Sequence, residues 1–451
     1  MNDNVRLKAN CGACALAAVL VLAGWVNGGR AGVVAASEHA RHDEHGKEGR
    51  CEGAPCREIA RGENAFNRTP KRLGGNGRAC ADCHMPEDDV YQLSPAQAQS
   101  RYARLVRRLE HNPRADDPLF RPIDADDFRV NGDGASDYSN LTQLGLIRIT
   151  LPLPASVKLI DPTTNQPSNE TFADVWRAVP SLLNVRITGV DNIRPFAARG
   201  PNPTGGYQWD GRIASLQEQA LDAMHAHIQI DAQPTPRLLD RIAAFEGTIF
   251  SSDGVRGLAG AIENGGPFPD PDSDLTPLEQ EGKDVFQRAC GQCHGNGGTH
   301  PSQSTPIDFG NPVPIARYQR IQTACPRPAG FGFAQCSSQM MKNARTYEIT
   351  QGAAKQRITT TDPGRGLLTS NAADFGFFDN PQLRGLARTA PYFHNNSAET
   401  LEAVLDHYDA FFRFVIANNP SAPILTTDGV HIDRPPTPAE RPALLAYLRK
   451  Q

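Results

Sequence analysis

The sequence predicts a mainly α chain in which one helical module is used twice, each copy interrupted by a long loop insertion. Three observations predict it. Cys80-Ala81-Asp82-Cys83-His84 and Cys290-Gly291-Gln292-Cys293-His294 repeat one five-residue pattern, C-x-x-C-H. Each pattern follows a helical stretch, marked by Ile59, Gly62 and Phe66 before the first and by Leu278, Gly282 and Phe286 before the second. Each copy then closes on a helix introduced by Thr-Pro, at Thr235-Pro236 with Ile242 and Phe245, and at Thr437-Pro438 with Leu444, Leu445 and Leu448. Apolar residues three and four apart give both closing helices one buried face.

The elements follow in order. Residues 1–36 read as a secretion signal: Arg6 and Lys8 lead, Cys14 to Trp25 is apolar, and Val34-Ala35-Ala36 offers a cleavage site. Residues 37–49 read as a flexible leader. Its His39, His42 and His45 belong either to a solvated tail or to a metal-binding one. The first module spans about 50–252. Between His84 and Arg177 it holds an insertion, helical from Ser94 to Leu109 and ribbon-like where Leu146-Ile147-Arg148-Ile149-Thr150-Leu151 alternates.

Val179-Pro180-Ser181-Leu182-Leu183-Asn184 is answered downstream by Asn380-Pro381-Gln382-Leu383-Arg384-Gly385. Trp209-Asp210-Gly211-Arg212 is likewise answered by His394-Asn395-Asn396-Ser397. Residues 253–272, rich in Gly, Pro and Asp, read as a linker. The second module, 273–451, opens on a capping box at Thr276-Pro277-Leu278-Glu279 and holds an insertion over about 299–360.

C-x-x-C-H is the attachment pattern of a c-type haem. Two thiols three positions apart add to the two vinyl groups of one macrocycle, and the adjoining imidazole reaches the iron. The fold is therefore expected to be two cytochrome c-type haem domains in tandem. Cys80, Cys83 and His84 would hold the first covalently attached haem c, and Cys290, Cys293 and His294 the second. Cys51, Cys56, Cys325 and Cys336 remain outside the signal and the motifs. In an oxidising compartment they are expected to pair locally, Cys51 with Cys56 and Cys325 with Cys336.

The sixth ligand decides whether an iron only passes electrons or also binds a small molecule. After Ala398, Leu401, Leu405 and Tyr408 fall at i, i+4 and i+7, so one helix face presents Tyr408 to the second haem. His407 is the neighbouring alternative, about 100° around the helix. Placing Leu216 on Leu401 puts Ala223, which cannot ligate, where Tyr408 stands, with Met224 one residue off. The first haem is thus expected to be open and the second closed. His225 and His227 are either distal acid/base groups of the first site or surface histidines.

Composition sets the compartment and partners. The formal charge is −4, without a basic run for nucleic acid, and removal of a signal carrying Arg6, Lys8 and Arg30 against Asp3 makes the chain more acidic. The apolar run of the signal is too short for a stable membrane span. A periplasmic or secreted location suits both the haems and the disulfides.

Together the motifs resemble the bacterial dihaem cytochrome c peroxidase and MauG superfamily. The resemblance covers both modules and not the insertions. It rests on Trp209-Asp210-Gly211-Arg212 with Leu216-Gln217-Glu218-Gln219-Ala220, and on Leu383-Arg384-Gly385 with Thr389-Ala390-Pro391-Tyr392-Phe393-His394. It implies an N-terminal peroxidatic haem and a C-terminal electron-transfer haem. It implies that Trp209 relays electrons between them, that Gln219 lines the peroxide pocket and that His394 meets a haem propionate. Tyr408 stands where peroxidases carry a Met and MauG a Tyr. The chain departs from the family in three places. No distal His stands in 85–110; Gln229 replaces the acidic residue ten positions after Gln219; and Ala178 replaces an Asn of the interdomain calcium site, although Thr389 and Pro391 are kept.

Two classes of function follow. One is a haem oxidoreductase that consumes hydrogen peroxide with electrons from a small c-type cytochrome or copper protein. Its variants are MauG-like oxidation of a protein substrate and a dihaem oxygenase. The other is a pure electron carrier, with Met224 or His227 closing the first iron.

Overall fold

The computed structural model describes residues 54–86, 89–121, 129–130, 136–188, 207–213, 215–264, 272, 274–294, 318–333, 336–418 and 435–451. The signal, the leader and Cys51 lie outside the described residues, as does the side chain of Cys293.

The first module is built from α1 (Ala54–Phe66), α2 (Pro95–His111), α3 (Leu216–Ala223) and α4 (Pro236–Glu246). After α5 (Asp253–Asn264), the second module contributes α6 (Pro277–Ala289), α7 (Leu401–Asn418) and α8 (Arg441–Lys450). The repeat shows in the crossings. At Gly62, α1 runs so close to α4 that an added Cβ would lie 1.9 Å from the Arg241 carbonyl oxygen. At Gly282, α6 meets α8 the same way, 2.0 Å from the Ala443 carbonyl oxygen. Only a residue without a side chain permits either approach. Aromatic rings fill each crossing: Phe66 packs on Phe245 at 5.3 Å and Phe286 on Tyr447 at 5.4 Å.

Capping chemistry holds as the sequence predicts at three starts. Ser94, Thr235 and Thr276 each accept a hydrogen bond from a backbone N–H three residues on. The last helix differs. Thr437 and Glu440 form their bonds within a preceding turn, and α8 begins only at Arg441.

Within the expected linker, Asp253–Asn264 forms the helix α5. Val255, Leu258 and Ala259 sit at helical spacing and bury against Ile187. Gly254, Gly257 and Gly260 hide this stripe in the composition.

The insertions are more than loops. Strand β1 (Leu146–Pro152) is followed by β2 (Val157–Leu159) and β3 (Phe172–Ala178); the second insertion supplies the hairpin β4 (Arg345–Gln351) and β5 (Ala354–Thr360). β1 pairs antiparallel with β3, Leu146 opposite Ala178. β2 pairs with β4, Val157 opposite Ile349, so strands from the two insertions share one sheet. One core joins Ile149, Val175 and Leu119 of the first insertion to Tyr347 and Ile349 of the second.

Below this core lies a buried charge cluster. Arg177 of β3 donates to Asp210 at 2.6 Å and to both oxygens of Asp362 at 2.7 and 2.9 Å, while Arg212 reaches Asp210 at 3.0 Å. Both carboxylates thus find partners despite complete burial.

Cys325 and Cys336 form the expected disulfide, with Cα atoms 6.0 Å apart. Cys56 is disulfide-bonded as well. Among the described residues no helix is long and apolar enough to cross a membrane.

Candidate functional site

The first C-x-x-C-H folds as a single turn. The amides of Cys83 and His84 both donate to the Cys80 carbonyl, at 3.2 and 2.9 Å. That turn brings Cys80, Cys83 and His84 within one helical turn, the spacing that two thioether bonds and an iron ligand require. Arg101 of α2 braces it, donating to the Asp82 carbonyl at 2.8 Å while holding Asp117. His84 gives its Nδ1–H to the Tyr91 carbonyl at 3.1 Å, which fixes the tautomer and leaves Nε2 to face a metal. Burial lowers the His84 imidazole to about 4, so it is neutral and able to ligate.

The second motif repeats the device. The His294 amide donates to the Cys290 carbonyl at 3.0 Å, and Nδ1 faces the Pro381 carbonyl at 3.3 Å. Burial lowers this imidazole to about 4 as well. Cys80, Cys83 and Cys290 stand outside disulfides.

α7 separates the two candidates for the sixth position. The Tyr408 hydroxyl lies 3.3 Å from His294 Nε2, the nitrogen that would hold iron. His407 turns away, its Nε2–H donating to the Ile321 carbonyl at 2.6 Å. Its ring sits among Phe331, Phe333 and Phe393, with centroids 5.2, 5.6 and 4.8 Å away.

In the first module the matching helix ends early. α3 stops at Ala223 and passes into a wider π-turn over Met224–Ile228. Met224 is 1% exposed and packs into the core of this module. The turn leaves His227 half-buried and near enough to His84 to disfavour the protonated form of that imidazole. His225 is exposed with Nε2 3.2 Å from the Gln233 amide, and neither histidine lines the cavity.

One cavity of about 960 Å³ reaches both modules, and His84, His294, Trp209, Gln219, His394 and Tyr408 all line it. Its size is at the upper end of the usual range for ligand sites. Trp209 donates Nε1–H to the Ala178 carbonyl at 2.8 Å, and its ring stands nearly perpendicular to that of His394 at 6.5 Å. The Ala178 amide in turn donates to the His394 carbonyl at 2.6 Å, so one residue ties the Trp209 motif to the His394 motif. His394 stacks on Phe378 at 3.8 Å and meets the Thr323 hydroxyl through Nδ1 at 3.2 Å.

His394 Nε2 is buried and lacks a hydrogen-bond partner among the described residues. Burial lowers this imidazole to about 4. The Asp362 carboxylate lies 3.9 Å from Nε2, beyond hydrogen-bond distance, so this nitrogen can still give a hydrogen bond to a bound group, as a haem propionate would accept. The two thiol turns, the two preset imidazoles and this nitrogen fit two haems. Among the described residues no cluster of three or more His, Cys, Asp and Glu forms a separate metal site, and the Ala178 carbonyl is engaged by Trp209.

Two features escape the sequence reading: the Arg177–Asp210–Asp362 cluster, and the Thr323 and Phe378 contacts of His394. Asp210 was within the Trp209 motif, but nothing local pointed to Asp362.

No protein-family model matches the chain. A cytochrome-c peroxidase of Pseudomonas sp. (strain SCT) is 26% identical over 231 residues, 45% of this chain and 55% of that protein. A cytochrome-c peroxidase of Denitromonas iodatirespirans is 36% identical over 63 residues, 14% of this chain and 17% of that protein. The chain thus matches about half the length of the first relative. Among solved structures, a MauG-like protein associated with microbial copper homeostasis is 19% identical with a TM-score of 0.41, covering 87% of this chain and 88% of that one.

Proposed function

The chain falls in the bacterial dihaem cytochrome c peroxidase and MauG superfamily, and from that premise we propose that it is a periplasmic haem oxidoreductase reducing hydrogen peroxide. Its electrons come from a small c-type cytochrome or copper protein. The observation that carries the reading is a cavity lined by His84 and His294 together with Trp209 and His394. Cys80, Cys83 and His84 would hold one covalent haem c; Cys290, Cys293, His294 and Tyr408 would hold the other. Bound haem supplies one-electron redox chemistry and, where an axial position is open, a place for peroxide.

The chain's own residues set the asymmetry. Tyr408 occupies the space facing His294 Nε2, whereas Ala223 has nothing to offer the first site. Gln219 stands in the wall of the first site as a hydrogen-bonding group without a titratable proton. Trp209 is held by Ala178 between the modules, where an indole can relay an electron.

Tyr408 also favours a second reading. A phenolate would stabilise the ferric state of the second haem, which suits oxidation of a protein substrate, as in MauG. Purified protein should show one high-spin and one low-spin ferric signal by electron paramagnetic resonance, and should consume peroxide faster with reduced cytochrome c than without it. Peroxide consumption indifferent to the cytochrome would favour the protein-substrate reading. Two low-spin signals with no consumption would make the chain an electron carrier.

A further inference from the structure

Glu246 ends α4, and nothing in the reading above uses it. The two glycine crossings set the modules in register: Arg241 and Phe245 meet α1 at Gly62 as Ala443 and Tyr447 meet α6 at Gly282. Glu246 therefore answers Leu448, which is buried and lines the cavity that Cys290 and His294 also line. Where the second module keeps an aliphatic side chain, the first has a carboxyl.

That carboxyl is 3% exposed, and its Oε2 has no hydrogen-bond partner among the described residues. Such burial is unfavourable for a polar group and would be avoided by a leucine. Titratable groups on the surrounding elements are Glu63 of α1, Cys80, Asp82, Cys83 and His84 of the attachment turn, Tyr91 and Arg186. None of them offsets the burial, which alone pushes Glu246 up to about 8. Phe245, next to Glu246, packs on Phe66 at 5.3 Å, Phe66 lies 6.1 Å from the His84 ring, and Cys80 packs on the same core, so the end of α4 lies beside the attachment turn. The Cys80 thiol is accordingly pushed up, first by burial and then by Glu246.

We infer that Glu246 is a redox-linked proton site of the first haem, taking up one proton from solvent as one electron enters that haem and releasing it as the electron leaves. This rests on Cys80, Cys83 and His84 holding a haem. Ferric haem carries one more positive charge than ferrous haem, so it favours the carboxylate, and reduction favours the acid. The second haem, with Leu448 in the equivalent place, lacks this device.

The test is a spectroelectrochemical titration of each haem in the holoprotein between pH 6 and pH 9. In the wild type the midpoint potential of the first haem should fall as pH rises. In E246Q and E246L the fall should be lost from the first haem, with the second haem unchanged. An undiminished slope in both variants overturns the proton site alone. A wild-type protein whose denatured mass carries no haem at Cys80 and Cys83 overturns this inference together with the function on which it rests. Should neither variant accumulate, the reduced-minus-oxidised infrared difference spectrum of the wild type decides. A protonated-carboxyl band gained on reduction supports the assignment, and its absence refutes it.

Discussion

At the scale of single residues, α7 shows how one position decides chemistry. Tyr408 and His407 are neighbours, yet one faces His294 Nε2 at 3.3 Å and the other donates to Ile321 inside a phenylalanine box. Tyr408→Phe should convert the second haem from low-spin to high-spin and open it to cyanide, read by optical and paramagnetic resonance spectra. A spectrum unchanged from wild type would remove Tyr408 as a ligand.

Trp209→Phe keeps an aromatic ring but removes the indole and its donor to Ala178. Both haems should remain bound, while oxidation of the second haem by peroxide slows in stopped-flow traces. An unchanged rate would make Trp209 a packing residue.

His407 gives a pH prediction. Burial lowers its imidazole from the ordinary 6.5 to about 4. A lowered folded value means the unfolded chain binds the proton more readily, so stability is intact above pH 6.5 and lost as pH falls toward 4. His407→Gln can retain a donor to Ile321 without titrating, so its thermal midpoint should fall less steeply than that of the wild type across this window.

At the scale of elements, the modules are held together by pieces that interrupt them. β2 from one insertion pairs with β4 from the other, and Arg177 of β3 pairs with Asp362 beyond β5. These contacts are remote in sequence, so either insertion alone leaves an exposed strand edge or an unpaired charge. Arg177→Ala would strip Asp362 of its guanidinium and leave Asp210 to Arg212 alone, and should destabilise the protein by about 3–5 kcal/mol in denaturant titrations. Adding Asp362→Asn to it should recover part of the loss, because one uncompensated charge is removed. No loss in the single variant would show that water already screens the cluster.

At the scale of the whole molecule, one design of helix crossing is used twice, and the differences between the copies carry the proposed division of labour. Gly62 and Gly282 preserve the crossing, while Ala223 against Tyr408 and Glu246 against Leu448 distinguish the two sites. Mass spectrometry of denatured, processed protein should exceed the polypeptide mass by two haems. One haem or none would undo the proposed function, because neither thiol pair would then be serving as its spacing implies.

The sequence by itself determined what depends on short spacing. A C-x-x-C-H can form one turn with both thiols on the imidazole side whatever surrounds it. Thr276 with Glu279 caps a helix through contacts three residues apart, and Leu146 to Leu151 alternates because a strand has period two. The glycines of the crossings were visible as part of a repeat, and so were Trp209 and His394.

Only the tertiary structure decided matters that join distant residues or turn a side chain. Where His407 points depended on where Ile321 and Phe331 stood, and with it which neighbour faces His294. The π-turn after Ala223 left His225 exposed and His227 half-buried, and no periodicity forecasts a π-turn. The α5 stripe was masked by glycine, and the β4–β5 hairpin by polar residues on an exposed edge strand. Arg177 could be matched with Asp362 only once a sheet had formed between the insertions. Burial, and with it the altered proton affinity of Glu246 and the unpaired nitrogen of His394, exists only after the chain has closed around them.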